Sequence, residues 1–381
     1  MSISYTAQLL EAIHQDANET NLKVATDYLR NLQPAQLNEV DGLNIRQLLE
    51  VLSKHQKSTD FIDFLYAVLR QYPQNSLTPV HGILVRTACS MRQYLAAMPL
   101  LEQSIEYLPK EHYLTYIDHL TFHFFGALCH AATGSWSRAL FSLSMVLAAG
   151  GHNTSSFQLE AYRKFVLIGL IYHGKLLPFP TTTPSNTRRS LEILAAEYIE
   201  LAEQYLVSGD TFLMLANASQ SRMKDHGNDG FLRTAVASLP GHKILQLRNV
   251  YSSIYLPDLA ARIGTDETGT AELLAEMNAD GRLTSTTDEQ GIVDFPAAVF
   301  DADSQLIKLE EVYRSIDDMS TRMSSLQKRL ELEPEYVDRQ LGRNGSTNDD
   351  GGKGKRKGTS ARRFPGSTMT GPTTGDPDDS M

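Results

Sequence analysis

Cysteine is almost missing from this sequence. Cys89 and Cys129 are the two in 381 residues, forty positions apart, with no CxxC pair. That excludes a disulfide framework and suits a reducing compartment. Long apolar runs are missing too. The longest strongly apolar stretch, around Phe165 to Tyr172, is far too short to span a bilayer. Residues 1–20 have neither a basic n-region nor an apolar h-region, so no secretory signal is predicted. A basic surplus is also lacking: the net charge is -10 and the pI about 5.6, which leans against a nucleic-acid binder. A soluble, intracellular protein is expected.

Catalytic and cofactor motifs are missing as well. There is no Walker A loop, no GxGxxG after a strand and no GxSxG elbow. The sequence calls for no cofactor and predicts no enzyme. The one cluster that invites chemistry is His112, His119, His123 and His130, which share a helical face by their spacing. Two histidines four apart can bind zinc. However, the stretch from His119 to His123 lacks the Glu of HExxH, so no general base is supplied, and four histidines spread over five turns do not converge on one ion. A metal hydrolase using this face is the alternative from another class. The expected reading is a polar helix face or a groove against the next helix.

What the sequence does hold is helical periodicity over a globular composition, 41% hydrophobic and 21% charged. Ile45, Leu48, Leu49 and Leu52 fall at helical spacing, as do Phe61, Phe64, Leu65, Val68 and Leu69. Thr78-Pro79 is a helix start, while Pro34, Pro73 and Pro109 punctuate. Residues 111–149 read as a helix pair turning at Thr133-Gly134-Ser135, with Gly126 and Ala139 small enough to let the two helices approach. This is similar to a tetratricopeptide unit, without a strict repeat period. Ser155 and Gln158 are spaced as a capping box for a helix that runs to Gly174, a plausible C-cap. Residues 178–184 form a linker, and two helices are predicted around 188–207 and 211–223.

Residues 241–296 change character. Helices are predicted around 244–254 and 256–263, and a third is capped by Thr265, with Asp266 and Glu267 placed against its dipole. Two short strands follow, Gly281 to Thr284 and Ile292 to Phe295, joined by a turn at 288–291. Three helices and a hairpin make a winged helix. Its third helix carries Asp266, Glu267, Glu272 and Glu276 and no Lys or Arg, so no direct DNA contact is expected. A long helix over 303–333 then places Leu306, Leu309, Tyr313, Ile316, Met319, Met323, Leu326 and Leu330 three or four apart. That seam is expected to bundle with another chain.

From Gly342 the composition shifts: nine of the 25 glycines lie there and apolar residues nearly vanish. A disordered tail over 334–381 is predicted. Its basic cluster, Lys353, Lys355, Arg356, Lys357, Arg362 and Arg363, is either a nuclear import signal or a solubilising run. The fold class read from all this is all-α: an irregular TPR-like helical solenoid over 1–189, then a second module over 190–302 whose winged helix spans about 241–296.

That second module resembles a known family at particular residues. Leu247-x-x-Val250-Tyr251-x-x-Ile254, then Asp258-Leu259-Ala260 and a winged helix, resembles the PCI domain shared by the proteasome lid, the signalosome and initiation-factor complexes. The stretches from Leu159 to Ile168, ending in Gly174-Lys175, and from Leu274 to Leu283 narrow the likeness to the third-subunit family of the COP-nine signalosome. The resemblance covers roughly residues 80–335. It implies a non-catalytic scaffold in a complex that removes a ubiquitin-like modifier from cullins and so regulates cullin-RING ubiquitin ligases. The chemistry would sit in another subunit, a zinc metalloprotease; the His-x-His of such an enzyme does not occur in this chain. It also implies that the partner-facing surface is the hairpin at Ile292, Val293 and Phe295 plus the seam from Leu306 to Leu330. Cytoplasmic and nuclear residence, no membrane and an indirect link to cullin ligases follow. A sister PCI complex, the proteasome lid or an initiation factor, is the runner-up.

Overall fold

The computed structural model describes residues 5–340 apart from 17, 33–41, 57, 74, 106–107, 109–113, 152, 289 and 297–301. The chain divides into two units, 1–301 and 302–381. Among the described residues it is a helical protein with one three-stranded sheet.

The first unit opens with α1 (Tyr5–Gln15), α2 (Glu19–Arg30), α3 (Gly42–His55), α4 (Thr59–Leu69), α5 (Pro79–Ser90) and α6 (Tyr94–Leu101). Leu48, Leu49 and Leu52 of α3 meet Phe61, Phe64 and Leu65 of α4 and the apolar positions of α5 in one buried cluster. Thr78-Pro79 does start α5, and His81 completes the cap: its Nδ1 accepts from the Thr78 N–H at 3.1 Å and lies 2.8 Å from Thr78 Oγ1. A ring nitrogen that accepts must be unprotonated, and burial holds the His81 pKa down to about 4.

Next come α7 (Tyr116–Ala132), α8 (Trp136–Ala148) and α9 (Ser156–His173). α7 is the shared wall of two cores. Phe122 and Cys129 face the N-terminal cluster; Leu120, Phe124, Ala127 and Ala131 face a second cluster with α8 and α9. α7 and α8 pair as the sequence predicts, but Gly126 serves a different neighbour. A Cβ there would stand 2.8 Å from Leu101 Cδ2, so its smallness seats α6. Asp118 ties this wall further back: it accepts from the Thr115 N–H at 2.8 Å and pairs with Arg46 of α3 at 3.2 Å.

The capping box of α9 is in place. The Gln158 N–H donates to Ser155 Oγ at 3.2 Å and the Ser155 N–H to Gln158 Oε1 at 3.0 Å. Gln158 Nε2 then donates to Ala149 O at 2.9 Å, so one buried side chain closes the end of α8 and the start of α9. Gly174 ends α9 at φ +67°, a left-handed turn that glycine enters without penalty.

The region predicted as two helices holds three: α10 (Ser185–Leu194), α11 (Ala196–Gln204) and α12 (Gly209–Asp225). The break falls at Ala195, φ -119°, a buried residue with no local breaker beside it. α13 (Asp229–Arg248) begins well before the predicted start and stops before the predicted end, carrying Pro240 in its interior.

β1 (Ser253–Tyr255), predicted as helix, is a strand. α14 (Leu256–Ile263) and α15 (Glu267–Ala279) follow, then β2 (Thr286–Thr287) and β3 (Ile292–Asp294). The first predicted strand, 281–284, therefore moves to 286–287. The sheet order is β1-β3-β2, with Ile254 opposite Val293 and Thr287 opposite Val293 on the two sides, both antiparallel. The cap of α15 is Asp266, whose carboxylate accepts from the Gly269 N–H at 3.4 Å, in place of Thr265. Ile244, Ile254, Leu259, Ile263, Leu274, Met277, Leu283, Val293 and Phe295 form this module's own core, so α13 is its first helix. The result is a winged helix on a helical-repeat array.

The second unit holds α16 (Ala302–Leu332) and α17 (Pro334–Gln340). α17 lies where tail was predicted: Pro334 occupies a first helical position, and Glu333 O accepts from the Tyr336 and Val337 N–H groups at 3.1 Å.

Candidate functional site

At 1.5 Å per residue, the 31 residues of α16 reach about 46 Å. Its sequence has good helix formers, no glycine and no proline, so the backbone needs little help to stay helical. Along it, Leu309, Tyr313, Ile316, Met319, Met323 and Leu330 are all exposed, from 46% to 67%, and Leu326 is half-buried. The side chain of Leu306 is outside the described residues. Val312, 55% exposed, widens the stripe at a position the sequence reading left out. An apolar stripe of this length costs free energy in water, at roughly 25 cal/mol per Å² left uncovered.

The hairpin positions are placed differently. Val293 and Phe295 are buried in the winged-helix core, while Ile292 is half-buried. β3 is also the middle strand, with both sides of its ladder taken, the Phe295 N–H continuing that ladder to Ser252 O at 2.8 Å. The edges of the sheet are β1 and β2. Surface readable by another molecule is there in Tyr255, Thr286 and Thr287, all exposed. Sequence reasoning missed β1 because three residues carry no period-two signal, and a strand that pairs with a partner forty positions away leaves none locally.

α15 presents Glu267, Glu272 and Glu276 to solvent and has no basic residue to meet a phosphate. The basic cluster Lys353, Lys355, Arg356, Lys357, Arg362 and Arg363 is outside the described residues.

Of the four histidines, His112 is outside the described residues. His119, His123 and His130 line a cavity of about 650 Å³ floored by Phe122, Phe141 and Met145, with the Arg138–Glu102 pair at 3.1 Å on its rim. The His119 and His123 rings meet edge to face, 4.5 Å between centroids. Burial holds all three below the ordinary histidine value, His123 to about 3, with the neighbouring His119 charge adding to its shift. Three neutral rings over an apolar floor make a groove. No group of three or more metal-ligating side chains converges among the described residues, and no helix there is long and apolar enough to cross a membrane.

Comparison with known proteins adds an independent line. Residues 5–186 match the family model described as COP9 signalosome complex subunit 3, N-terminal helical repeats. A Dictyostelium discoideum protein named COP9 signalosome complex subunit 3 is 20% identical over 312 residues, covering 80% of this chain and 74% of that protein. A protein of the same name from Emericella nidulans is 23% identical over 320 residues, covering 71% of this chain and 64% of that one, so the chain spans just under two thirds of this second relative. The resemblance read from residues 159–175 and 247–283 is thus borne out, and it reaches further toward the N-terminus than those stretches.

Proposed function

We propose that this chain, similar along most of its length to COP9 signalosome complex subunit 3, is a non-catalytic scaffold subunit of that complex. In this reading the assembly removes the ubiquitin-like modifier from cullins, and this chain holds subunits together. The observation that carries the reading is the exposed stripe on α16, from Leu309 to Leu330. Such a stripe is a soft, adaptable surface: two methionines and a tyrosine sit among its aliphatic side chains. Packed against like helices, it would remove apolar area from water at each knob position.

The winged helix offers a partner surface of its own at its sheet edges β1 and β2, with Ile292 beside them, and Val293 and Phe295 serve it from beneath as core. The acidic α15 supports a protein partner over DNA, since it would repel phosphate. The basic cluster at 353–363 fits residence in nucleus as well as cytoplasm, and cullin-RING ligases are met through the complex. The test is affinity purification of the tagged chain from its own cells with mass spectrometry of what accompanies it. Recovery of a metalloprotease subunit, further PCI proteins and cullins is expected. Recovery of proteasome base or ribosomal proteins, or of the chain alone, would overturn the reading.

A further inference from the structure

The two cysteines of the chain, forty residues apart, are brought together by the fold. α5 and α7 pack side by side. At one level of the pair the His81 and Phe122 rings meet edge to face, 5.6 Å between centroids, and a Cβ on Gly82 would stand 3.4 Å from Asp118 O and 3.5 Å from Thr121 Cγ2. Both helices run the same way from there. Two turns further on each of them, Cys89 is eight residues past His81 and Cys129 seven past Phe122, which returns both to the shared seam. The two thiols are near enough for each to shift the other's titration, Cys89 downward and Cys129 upward. Cys129 belongs to the buried core cluster, and Cys89 packs against it half-exposed, one residue from the end of α5.

We propose that Cys89 and Cys129 are a thiol pair that closes to an intramolecular disulfide when the chain meets a hydroperoxide, fastening α5 to α7. The exposed member reacts first. The Cys89 sulfur, as thiolate, attacks one oxygen of hydrogen peroxide; the O–O bond breaks, the leaving hydroxide takes up the proton that the thiol had given to solvent and departs as water, and Cys89 becomes a sulfenic acid. The Cys129 sulfur then attacks that sulfur, the S–O bond breaks, and its thiol proton leaves with the hydroxyl as a second water. Two thiols have been oxidised by two electrons and one hydroperoxide reduced. The roles follow from burial: Cys89 reaches the surface in part and Cys129 does not, and the neighbouring Cys129 lowers the Cys89 thiol while that same neighbour and burial raise Cys129. Sequence gives no hint of this, because the spacing fits no redox motif.

The test uses the purified full chain, reduced, then exposed to one equivalent of hydrogen peroxide and mapped as peptides without reductant. The intact mass should fall by two hydrogens, the peptides holding Cys89 and Cys129 should appear linked, and dithiothreitol should restore both thiols. Closure should be about tenfold or more faster in the folded chain than in guanidinium, the gain expected from holding reacting groups in position. Cys89→Ser, a half-exposed position, should fold normally and give no link. In Cys129→Ala the Cys89 sulfenic acid should persist and be trapped by dimedone. If the buried change prevents folding, the wild-type map and Cys89→Ser still decide. A folded chain that yields sulfinic Cys89 with no linked peptides, or that links no faster than the unfolded chain, overturns the proposal.

Discussion

α9 and α16 are both long helices, of 18 and 31 residues, yet they meet opposite surroundings. Eleven of the eighteen residues of α9 are buried, including Gln158, Lys164 and Tyr162, and none from Phe157 to Ile171 is exposed. Of the side chains described on α16 none is buried, although its sequence repeats an apolar residue every three or four positions. The difference lies in what each pattern needs. An apolar run wrapped all round a helix is satisfied inside one molecule. A narrow stripe on an otherwise charged helix needs one neighbour on one side. Even the charges of α9 are absorbed: Lys164 lies 5.4 Å over the Phe124 ring and 3.1 Å from Glu160, and Arg163 stands over Tyr198.

The comparison breaks first in stability. Phe165→Ala removes a buried ring from the α9 core and should cost about 3–5 kcal/mol, read as a lower denaturant midpoint. A loss within measurement error would mean α9 is not the spine of the array. Gly174→Ala should cost about 1–3 kcal/mol, because φ +67° disfavours a side chain and the new Cβ would stand 2.7 Å from His242 Nδ1. That ring has its own duty, with Nε2 2.9 Å from Ile171 O, and cannot simply turn aside.

Acid should loosen the N-terminal core in a defined window. His81 titrates near 6.5 when unfolded and near 4 when folded, so the unfolded state binds the proton first. The stability His81 contributes is full above pH 6.5 and is lost as pH falls through 4. Chemical denaturation at pH 7, 5.5 and 4.5 should show that decline, and His81→Asn should flatten it; an equal slope in the variant would assign the effect elsewhere. The smallest effect belongs to α16. Tyr313→Ala, at a position 65% exposed, should change the stability of the isolated chain by no more than about 0.5 kcal/mol. A cost of several kcal/mol would mean that the seam is filled by its own chain.

How much of this could be read beforehand follows the reach of each signal. The caps at Thr78-Pro79 and Ser155/Gln158, the Gly174 stop and the α16 stripe are local, set by residues within a turn or two, and the sequence displays them. What escaped it is non-local. β1 exists because β3 pairs with it. The break at Ala195 has no proline or glycine to announce it. Gly126 makes room for Leu101, twenty-five positions back, and Cys89 meets Cys129 only once α5 and α7 lie side by side. The hairpin shows the same limit at a candidate site. Spacing located Ile292 to Phe295 within a residue of the strand, but only the sheet order reveals that β3 is central and that Val293 and Phe295 point into the core.

The central claim is that the α16 stripe joins this chain to its complex. Ile316→Asp with Leu326→Asp places two charges where apolar contact is required, and an unpaired charge buried at an interface costs several kcal/mol. The measurement is co-purification of the tagged double variant, beside its own circular dichroism and unfolding curve. The account predicts an unchanged fold and loss of the partner subunits from the purified material. Stoichiometric recovery of those partners with the double variant would contradict it.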